Sequence, residues 1–183
     1  MRPQAIALLC GVVLVAGCKA GGGISTGELQ PTAGLLAEPV TPGLTGDYVS
    51  LRQNLVSGGT ILLDVVVTEI TEPVSGIALT MSYPDGFSRF TDCEDGGLFP
   101  ESEKPLCEEQ QPGEIVIFRS TAPGPGVVVN GDRVILRLEF LVFGVAQGPL
   151  DFEGQNIDGL SALLDDDADP IPVSWFAGQL LGD

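Results

Sequence analysis

The chain has 183 residues and a formal net charge of −17, with 25 acidic residues against 8 lysines and arginines. So much negative charge repels phosphate backbones and anionic lipid head groups, and this excludes nucleic acid as a partner. The sequence contains no histidine. It therefore lacks the usual general base, the Ser-His-Asp and Cys-His arrangements, and every histidine-based metal site.

The chain begins with a predicted leader, residues 1–17. Arg2 gives it a positive start, and residues 5–15 form an apolar run that is too short to span a bilayer but suits a signal peptide. The motif VAGC at residues 15–18 resembles the lipobox of bacterial lipoproteins. The resemblance implies that the leader is cleaved, that Cys18 carries the lipid, and that the protein is exported and lipid-anchored to the bacterial membrane. A plain secretory signal with an incidental cysteine is the alternative.

Residues 18–46 have the composition of a lipid-anchored flexible linker. They contain three consecutive glycines and several scattered prolines, a mixture that makes a chain flexible and extended. Lys19 follows the cysteine, where an aspartate would retain a Gram-negative lipoprotein at the inner membrane. The resemblance therefore implies the outer membrane if the cell is Gram-negative.

Two cysteines remain besides Cys18 and Cys10, which lies in the leader. In an exported protein, Cys93 and Cys107 are expected to form a disulfide. Closing a loop of about 15 residues would stabilise the fold by roughly 3 kcal/mol in the chain-entropy model. Two free thiols or half of a metal site are the alternatives, although the sequence offers no further soft ligands to complete such a site.

From residue 47 onward, apolar and polar residues alternate as they do in half-buried strands. The strongest such segment, residues 60–69, places Ile61, Leu63, Val65 and Val67 on one face. The predicted strands cover residues 48–53, 60–69, 76–83, 87–91, 114–120, 127–129, 132–143, 150–152 and 173–180. With eight or nine short strands and almost no helix, the sequence predicts an all-β, two-sheet antiparallel sandwich over residues 47–183.

The order of these segments resembles the cohesin-like sandwich, which is related in architecture to family 2 and 3 carbohydrate-binding modules. The resemblance is carried by ILLDVVV at 61–67, VSGIALTMSYPD at 74–85, RVILRLEF at 133–140 and DPIPV at 169–173. The family has Tyr-Asp-Pro where this chain has Tyr83 followed by proline and then aspartate. The resemblance implies a nine-stranded jelly roll with a non-catalytic binding role, and a protein or a polysaccharide as ligand. It identifies no dockerin-contacting residue.

A run of aspartates precedes the last predicted strand. Asp165, Asp167 and Asp169 copy the start of an EF-hand loop, which makes them weak candidates for binding Ca²⁺. The remainder of the motif is missing, because Pro170 stands where glycine is needed and Phe176 where glutamate is needed. A solvated turn is the alternative interpretation.

Residues 92–109 are predicted to form an acidic loop closed by the disulfide. Such a loop could present a patch for a cation or a basic partner, or it could simply keep the protein soluble. Sugar-binding modules use exposed planar aromatics, but Trp175, Tyr48 and Tyr83 are in phase with apolar neighbours or lie near a strand end. Few platforms for a sugar are therefore expected.

The leading hypothesis is a non-catalytic, lipid-anchored envelope lipoprotein that displays one cohesin-like binding module. A structural envelope component without a discrete ligand is the second hypothesis. A glycosidase that uses a pair of carboxylates is a remote third hypothesis. With 25 acidic residues some close pair is inevitable, so the closeness of two carboxylates is not by itself evidence of catalysis.

Overall fold

The structure is a computed structural model, and it describes residues 32–99, 104–121, 125–157 and 160–183. The predicted leader, the lipid-attachment candidate Cys18 and the first part of the predicted linker lie outside these residues. The regular elements in the described ranges are all β-strands. No helix long and apolar enough to cross a membrane occurs in them.

Thirteen strands lie in the described residues. In chain order they are β1 (Ala33–Ala37), β2 (Tyr48–Ser57), β3 (Thr60–Thr68), β4 (Gly76–Ser82), β5 (Ser88–Asp95), β6 (Leu106–Gln111), β7 (Glu114–Ser120), β8 (Asp132–Val142), β9 (Ala146–Phe152), β10 (Ala162–Leu164), β11 (Pro170–Ile171), β12 (Ser174–Phe176) and β13 (Gly178–Gly182).

The strands form two sheets. The five-stranded sheet has the order β12-β2-β3-β8-β5. The eight-stranded sheet follows the path β1-β13-β9-β4-β10-β11, with β7 beside β4 and β6 beside β7 at the opposite edge. Pairing is antiparallel except between β12 and β2, which run parallel. The predicted all-β, two-sheet sandwich is therefore confirmed.

The inward face of the five-stranded sheet is built by the alternation that the sequence predicts. Ile61, Leu63 and Val65 of β3 are completely buried, as are Leu138 and Phe140 of β8. Fully burying a side chain of this size stabilises a fold by roughly 1.5–3 kcal/mol relative to leaving it exposed. The pairing of β3 with β8 thus forms the centre of one half of the core.

The eight-stranded sheet supplies the other half of the core. Ile77, Leu79 and Met81 of β4 and Ile115 and Ile117 of β7 are completely buried. Strand β4 pairs with β7 along its whole length, from Gly76 opposite Ser120 to Ser82 opposite Glu114. The residues between these buried positions point away from the core, so they make the outer face of this sheet.

The predicted linker is wrong for residues 33–37. They form β1, which pairs with β13 in the register Ala33 to Gly182 and Ala37 to Gly178. On its other side, the Leu35 amide donates to Gln53 Oε1 at 3.0 Å. The sandwich therefore starts before residue 47. The sequence AGLLA has no alternation, and it becomes a strand because it pairs with the C-terminal end of the chain.

The C-terminal region is also more divided than predicted. Between the predicted strands at 150–152 and 173–180, Ala162–Leu164 form strand β10, which pairs with β4. The last predicted strand, 173–180, is two strands in different sheets: β12 belongs to the five-stranded sheet and β13 to the eight-stranded sheet. The chain crosses between the sheets at Ala177.

Candidate functional site

The outer face of β6, β7 and β4 carries a row of exposed apolar side chains. Leu106 lies opposite Phe118, and Phe118 lies opposite Ala78. Directly paired residues project to the same face of a sheet and contact one another. Leu106 is 66% exposed and Phe118 is 43% exposed. An apolar row of this kind, open to solvent on a sheet, is a feature of interaction sites.

Carboxylates lie on one side of this row, toward the β6–β7 turn, and the exposed Lys104 precedes β6 on the other side. Glu108 lies opposite Val116 in the next rung, and Glu114 lies opposite Ser82. The outward positions of β4, β6, β7 and β9 include no lysine or arginine, because Arg119 of β7 is buried on the inner side. We name this surface, defined by Leu106, Phe118, Val116, Glu108 and Glu114 with Ala78, the acidic face. It is suited to a partner that is both apolar and basic.

Strand β6 lies at the edge of the eight-stranded sheet and is held by a disulfide. Cys93 of β5 and Cys107 of β6 are bonded, with their Cα atoms 6.5 Å apart. Because β5 belongs to the five-stranded sheet, the bond joins the two sheets at their edges. This is the pair expected from the sequence. The loop predicted around it is wrong at both ends, since β5 extends to Asp95 and β6 begins at Leu106.

The segment after β5 packs into the fold. Leu98 and Phe99 are each 4% exposed. The buried Arg119 guanidinium lies over the Phe99 ring, with Cζ 5.4 Å from the centroid, and forms an ion pair with Asp95 at 2.8 Å. Leu98 and Phe99 are therefore part of the core, and this end of the segment is not a solvated acidic loop. The adjacent Leu98 and Phe99 were the signal in the sequence that could have revealed this.

Tyr83 ties β6 to the end of β4. Its hydroxyl donates a hydrogen bond to Glu109 of β6, and its ring packs edge-on against Phe140, with centroids 5.4 Å apart. Burial, and then the hydrogen bond to Glu109, raises the pKa of Tyr83 above its ordinary value. The hydroxyl is therefore protonated at neutral pH, as this hydrogen bond requires.

The outer face of the five-stranded sheet has a different electrostatic character. Arg137 Nε donates to Asp64 Oδ1 at 3.0 Å, and Asn54 Nδ2 donates to the same carboxylate at 2.9 Å. Arg52 pairs with Asp132, and this hydrogen bond lowers the pKa of the Asp132 carboxyl. Arginines thus neutralise Asp64 and Asp132 on this face, whereas Glu108 and Glu114 of the acidic face have no lysine or arginine beside them among the outward positions of β4, β6, β7 and β9.

The three calcium candidates do not converge. Asp165 Oδ1 accepts hydrogen bonds from the backbone amides of Asp167 and Asp169, at 3.0 and 2.8 Å. The carboxylate thus closes a turn that leads into β11 and does not point with the others at a common centre. No group of three or more acidic or cysteine side chains suited to a metal ion occurs among the described residues.

Trp175 packs in the core, as its phase predicts. It is 6% exposed, its indole nitrogen donates to Asn156 Oδ1 at 3.0 Å, and its ring lies 5.0 Å from that of Phe152. Tyr48 packs edge-on against Phe176 at 5.8 Å. In the described residues the large aromatics exposed to solvent are Phe118 and Phe143. They lie on different parts of the surface, so no planar platform for a sugar chain is formed.

Comparison with solved structures identifies the class of fold. The chain is similar to CaCohA2 from Clostridium acetobutylicum, with 17% identity over 73% of this chain and 90% of that one, at a TM-score of 0.57. It is similar to the sixth cohesin of scaffoldin B from Acetivibrio cellulolyticus, solved with a Cel5 dockerin (13%, 72% and 96%, TM-score 0.57). It is also similar to a type I cohesin–dockerin complex from Clostridium thermocellum (15%, 81% and 96%, TM-score 0.54).

These likenesses show that the sandwich has the cohesin fold, so the resemblance inferred from the strand order is confirmed at the level of the fold. No protein-family model matches the chain, and no curated protein matches it. The identities are low, and the comparisons therefore speak for the fold and not for the partner.

Reducing the disulfide is expected to weaken the fold. The bond closes a loop with a sequence separation of 14, and its loss should lower the free energy of unfolding by roughly 3 kcal/mol. Urea denaturation with and without reductant measures this. A variant with both Cys93→Ser and Cys107→Ser is the control, and reductant should leave its midpoint unchanged. An equal midpoint for the oxidised and reduced native chain would contradict the proposed role of the bond.

The raised pKa of Tyr83 predicts a loss of stability in alkali. The folded state disfavours the phenolate, so the contribution of Tyr83 is complete below the unfolded pKa of 10.0 and is lost as pH rises through the higher folded pKa. Tyr83→Phe should cost about 1 kcal/mol near neutrality, and this difference from the native chain should shrink above about pH 10. Denaturant midpoints at a series of pH values test it, and a difference that does not change with pH would be the contrary result.

Proposed function

We propose that this chain is a non-catalytic binding module that docks a protein partner on the acidic face. The observation that carries the proposal is the apolar row of exposed Leu106 and Phe118 with part-buried Ala78, flanked by Glu108 and Glu114 on a sheet of cohesin fold. Two of the similar solved structures are cohesins in complex with dockerins. This supports a protein as the ligand, with dockerin modules as the first candidates.

The chemistry of the face favours a protein over a polysaccharide. A sugar chain stacks on several coplanar aromatic rings, but Phe118 stands alone on the acidic face. A protein partner can cover Leu106 and Phe118 with its own apolar side chains and place lysines or arginines near Glu108 and Glu114. Complementary charge of this kind raises the association rate and favours the correct partner.

The proposal extends to location. The motif at residues 15–18 supports export and attachment of lipid to Cys18, which lies outside the described residues. A module on a tether of this kind would present the acidic face beyond the membrane surface. Two or more acyl chains are needed for stable anchoring, and the lipoprotein modification supplies them.

Substitution on the acidic face should abolish docking. The native chain, Phe118→Glu and Leu106→Glu are compared against a panel of purified dockerin modules, with soluble plant polysaccharides in parallel. Saturable binding to at least one dockerin is expected, and each substitution should weaken it by a factor of about 30 or more, as at an interface hot spot. Raising the salt concentration should slow association.

Val128→Glu is the matched control for this experiment. Val128 is 59% exposed and lies outside the acidic face, so the same charge placed there should leave binding unchanged. Binding that survives Phe118→Glu would exclude the acidic face as the docking surface. Binding to polysaccharides alone would exclude a protein as the ligand.

Replacing Cys18 with alanine tests the anchor. The native chain, expressed in a bacterium that processes lipoproteins, should be recovered in the membrane fraction, and Cys18→Ala should be recovered in the soluble exported fraction. Cys10→Ala is the control, because Cys10 belongs to the predicted leader. An unchanged membrane fraction for Cys18→Ala would show that lipid on this residue does not hold the protein.

A further inference from the structure

One end of the sandwich exposes a second group of apolar side chains, in the connection from β8 to β9. Leu141 is 40% exposed, Phe143 is 51% exposed and Val145 is 79% exposed. We name these three residues the apolar tip. The connection is anchored, because the Val142 amide donates to the Gly59 carbonyl at 2.7 Å and the Phe143 amide to the Phe87 carbonyl at 3.0 Å. The exposed side chains are therefore held by ordered backbone.

The tip connection and the hairpin beside it contain no charged residue of their own. Residues 140–150 contain no acidic or basic side chain, and neither do residues 53–63 of the adjacent β2–β3 hairpin. The chain as a whole carries a net charge of −17. Charged side chains adjoin these segments: Arg89 lies opposite Leu141 in β5, Glu139 stands two residues before Leu141, Asp85 lies in the turn before β5, and Asp183 follows β13.

The described chain enters the sandwich at this same end. The Thr32 amide donates to the Asp183 carbonyl at 2.9 Å, and the Asp183 amide donates back at 3.0 Å. In the next rung Ala33 pairs with Gly182, and Gly182 pairs with Ala146 of β9. Thr32 is thus level with Val145, two strands away. With neighbouring strands about 4.8 Å apart, they are separated by roughly 10 Å.

The contact between the tip and the chain ends is close. A Cβ atom at Gly182 would collide with the carbonyl oxygen of Gly144, so the tip connection passes directly over the end of β13. Only glycine leaves the space for this approach. The apolar tip, the C-terminal residue Asp183 and the point of entry at Thr32 therefore form one surface.

The segment that joins Cys18 to Thr32 is short. Residues 19–31 separate it from Cys18, and a chain of this length spans at most about 50 Å when fully extended. The 11 residues of β8 extend over about 37 Å, so the extended tether is somewhat longer than the sandwich. A lipid on Cys18 would keep Thr32, where the chain enters the sandwich, within about 50 Å of the bilayer, and of the two ends of the sandwich this is the one that the tether brings nearest.

We infer that the apolar tip is a membrane-contacting surface whose partner is the interface of a lipid bilayer. The inference rests on the proposed lipid attachment at Cys18. Phe143 and Val145 enter the region between head groups and acyl chains, as the apolar residues of peripheral proteins do. The tip connection and the β2–β3 hairpin carry no acidic side chain, which limits electrostatic repulsion where they meet the bilayer. The strands are then roughly perpendicular to the membrane plane, and the acidic face points sideways, parallel to that plane.

The test uses the full lipidated chain in phosphatidylcholine vesicles whose acyl chains are brominated, because bromine quenches a tryptophan that reaches the acyl region. Two variants are compared, Val145→Trp at the tip and Val128→Trp as a matched control. Val128 adjoins Val127, which bridges to Val74 beside the start of β4, and so lies at the other end of the sandwich. Trp175 is buried in both variants and gives a common background.

Quenching of the added tryptophan is expected to be at least twofold stronger in Val145→Trp than in Val128→Trp. A second measurement needs no substitution in the tip. Amide hydrogen exchange at residues 141–146 should be slower in the native chain on vesicles than in soluble Cys18→Ala, whereas exchange at residues 125–130 should be the same in both. Equal quenching and equal exchange on vesicles that retain the protein would overturn the tip inference while the anchor stands. Failure of the native chain to remain with the vesicles would overturn both, and the membrane fractionation of Cys18→Ala identifies that case.

Discussion

The disulfide between Cys93 and Cys107 is the constraint on which the acidic face depends. Strand β6 is exposed along most of its length, so burial of apolar surface contributes little to holding it. One side pairs with β7, and the other side is connected to the five-stranded sheet through the disulfide. Because Leu106 and Glu108 flank Cys107, the covalent link sets the position of the side chains that would meet a partner. The hydrogen bond from Tyr83 to Glu109 secures the same strand further along.

The alternation of apolar and polar residues predicts the strands that bury one face. It does not predict the strands that lack such a face. Strands β3, β4 and β8 each place apolar residues at every second position against the core, and their predicted bounds agree with the structure within one or two residues. Strand β6 has the sequence LCEEQQ, which offers no apolar alternation because neither of its faces is deeply buried. Strand β1, AGLLA, depends on a partner from the far end of the chain, which no local pattern can reveal.

The candidate site was predicted only in its chemistry. The acidic character of residues 92–109 and the cysteine pair were both visible in the sequence, but the acidic face combines β6 with β7 and β4, and that neighbourhood follows from sheet order. The number of charged residues gives the net charge of the chain, but not where those charges lie on the folded surface. The run of aspartates before β11 illustrates the same point, since Asp165 Oδ1 accepts hydrogen bonds from two backbone amides of its own turn, which the spacing of the acidic residues does not reveal.

The distribution of the few cations explains how one strongly acidic chain can have surfaces of different character. Arg52 and Arg137 lie on the five-stranded sheet, where they neutralise Asp132 and Asp64 respectively. Arg119 is buried and forms an ion pair with Asp95. The outer face of the eight-stranded sheet is left with carboxylates beside an apolar row, which suits a basic protein and opposes an anionic lipid surface. The three residues of the apolar tip are uncharged, and Arg89 lies opposite one of them. The proposed bilayer contact and the proposed partner contact therefore use different residues.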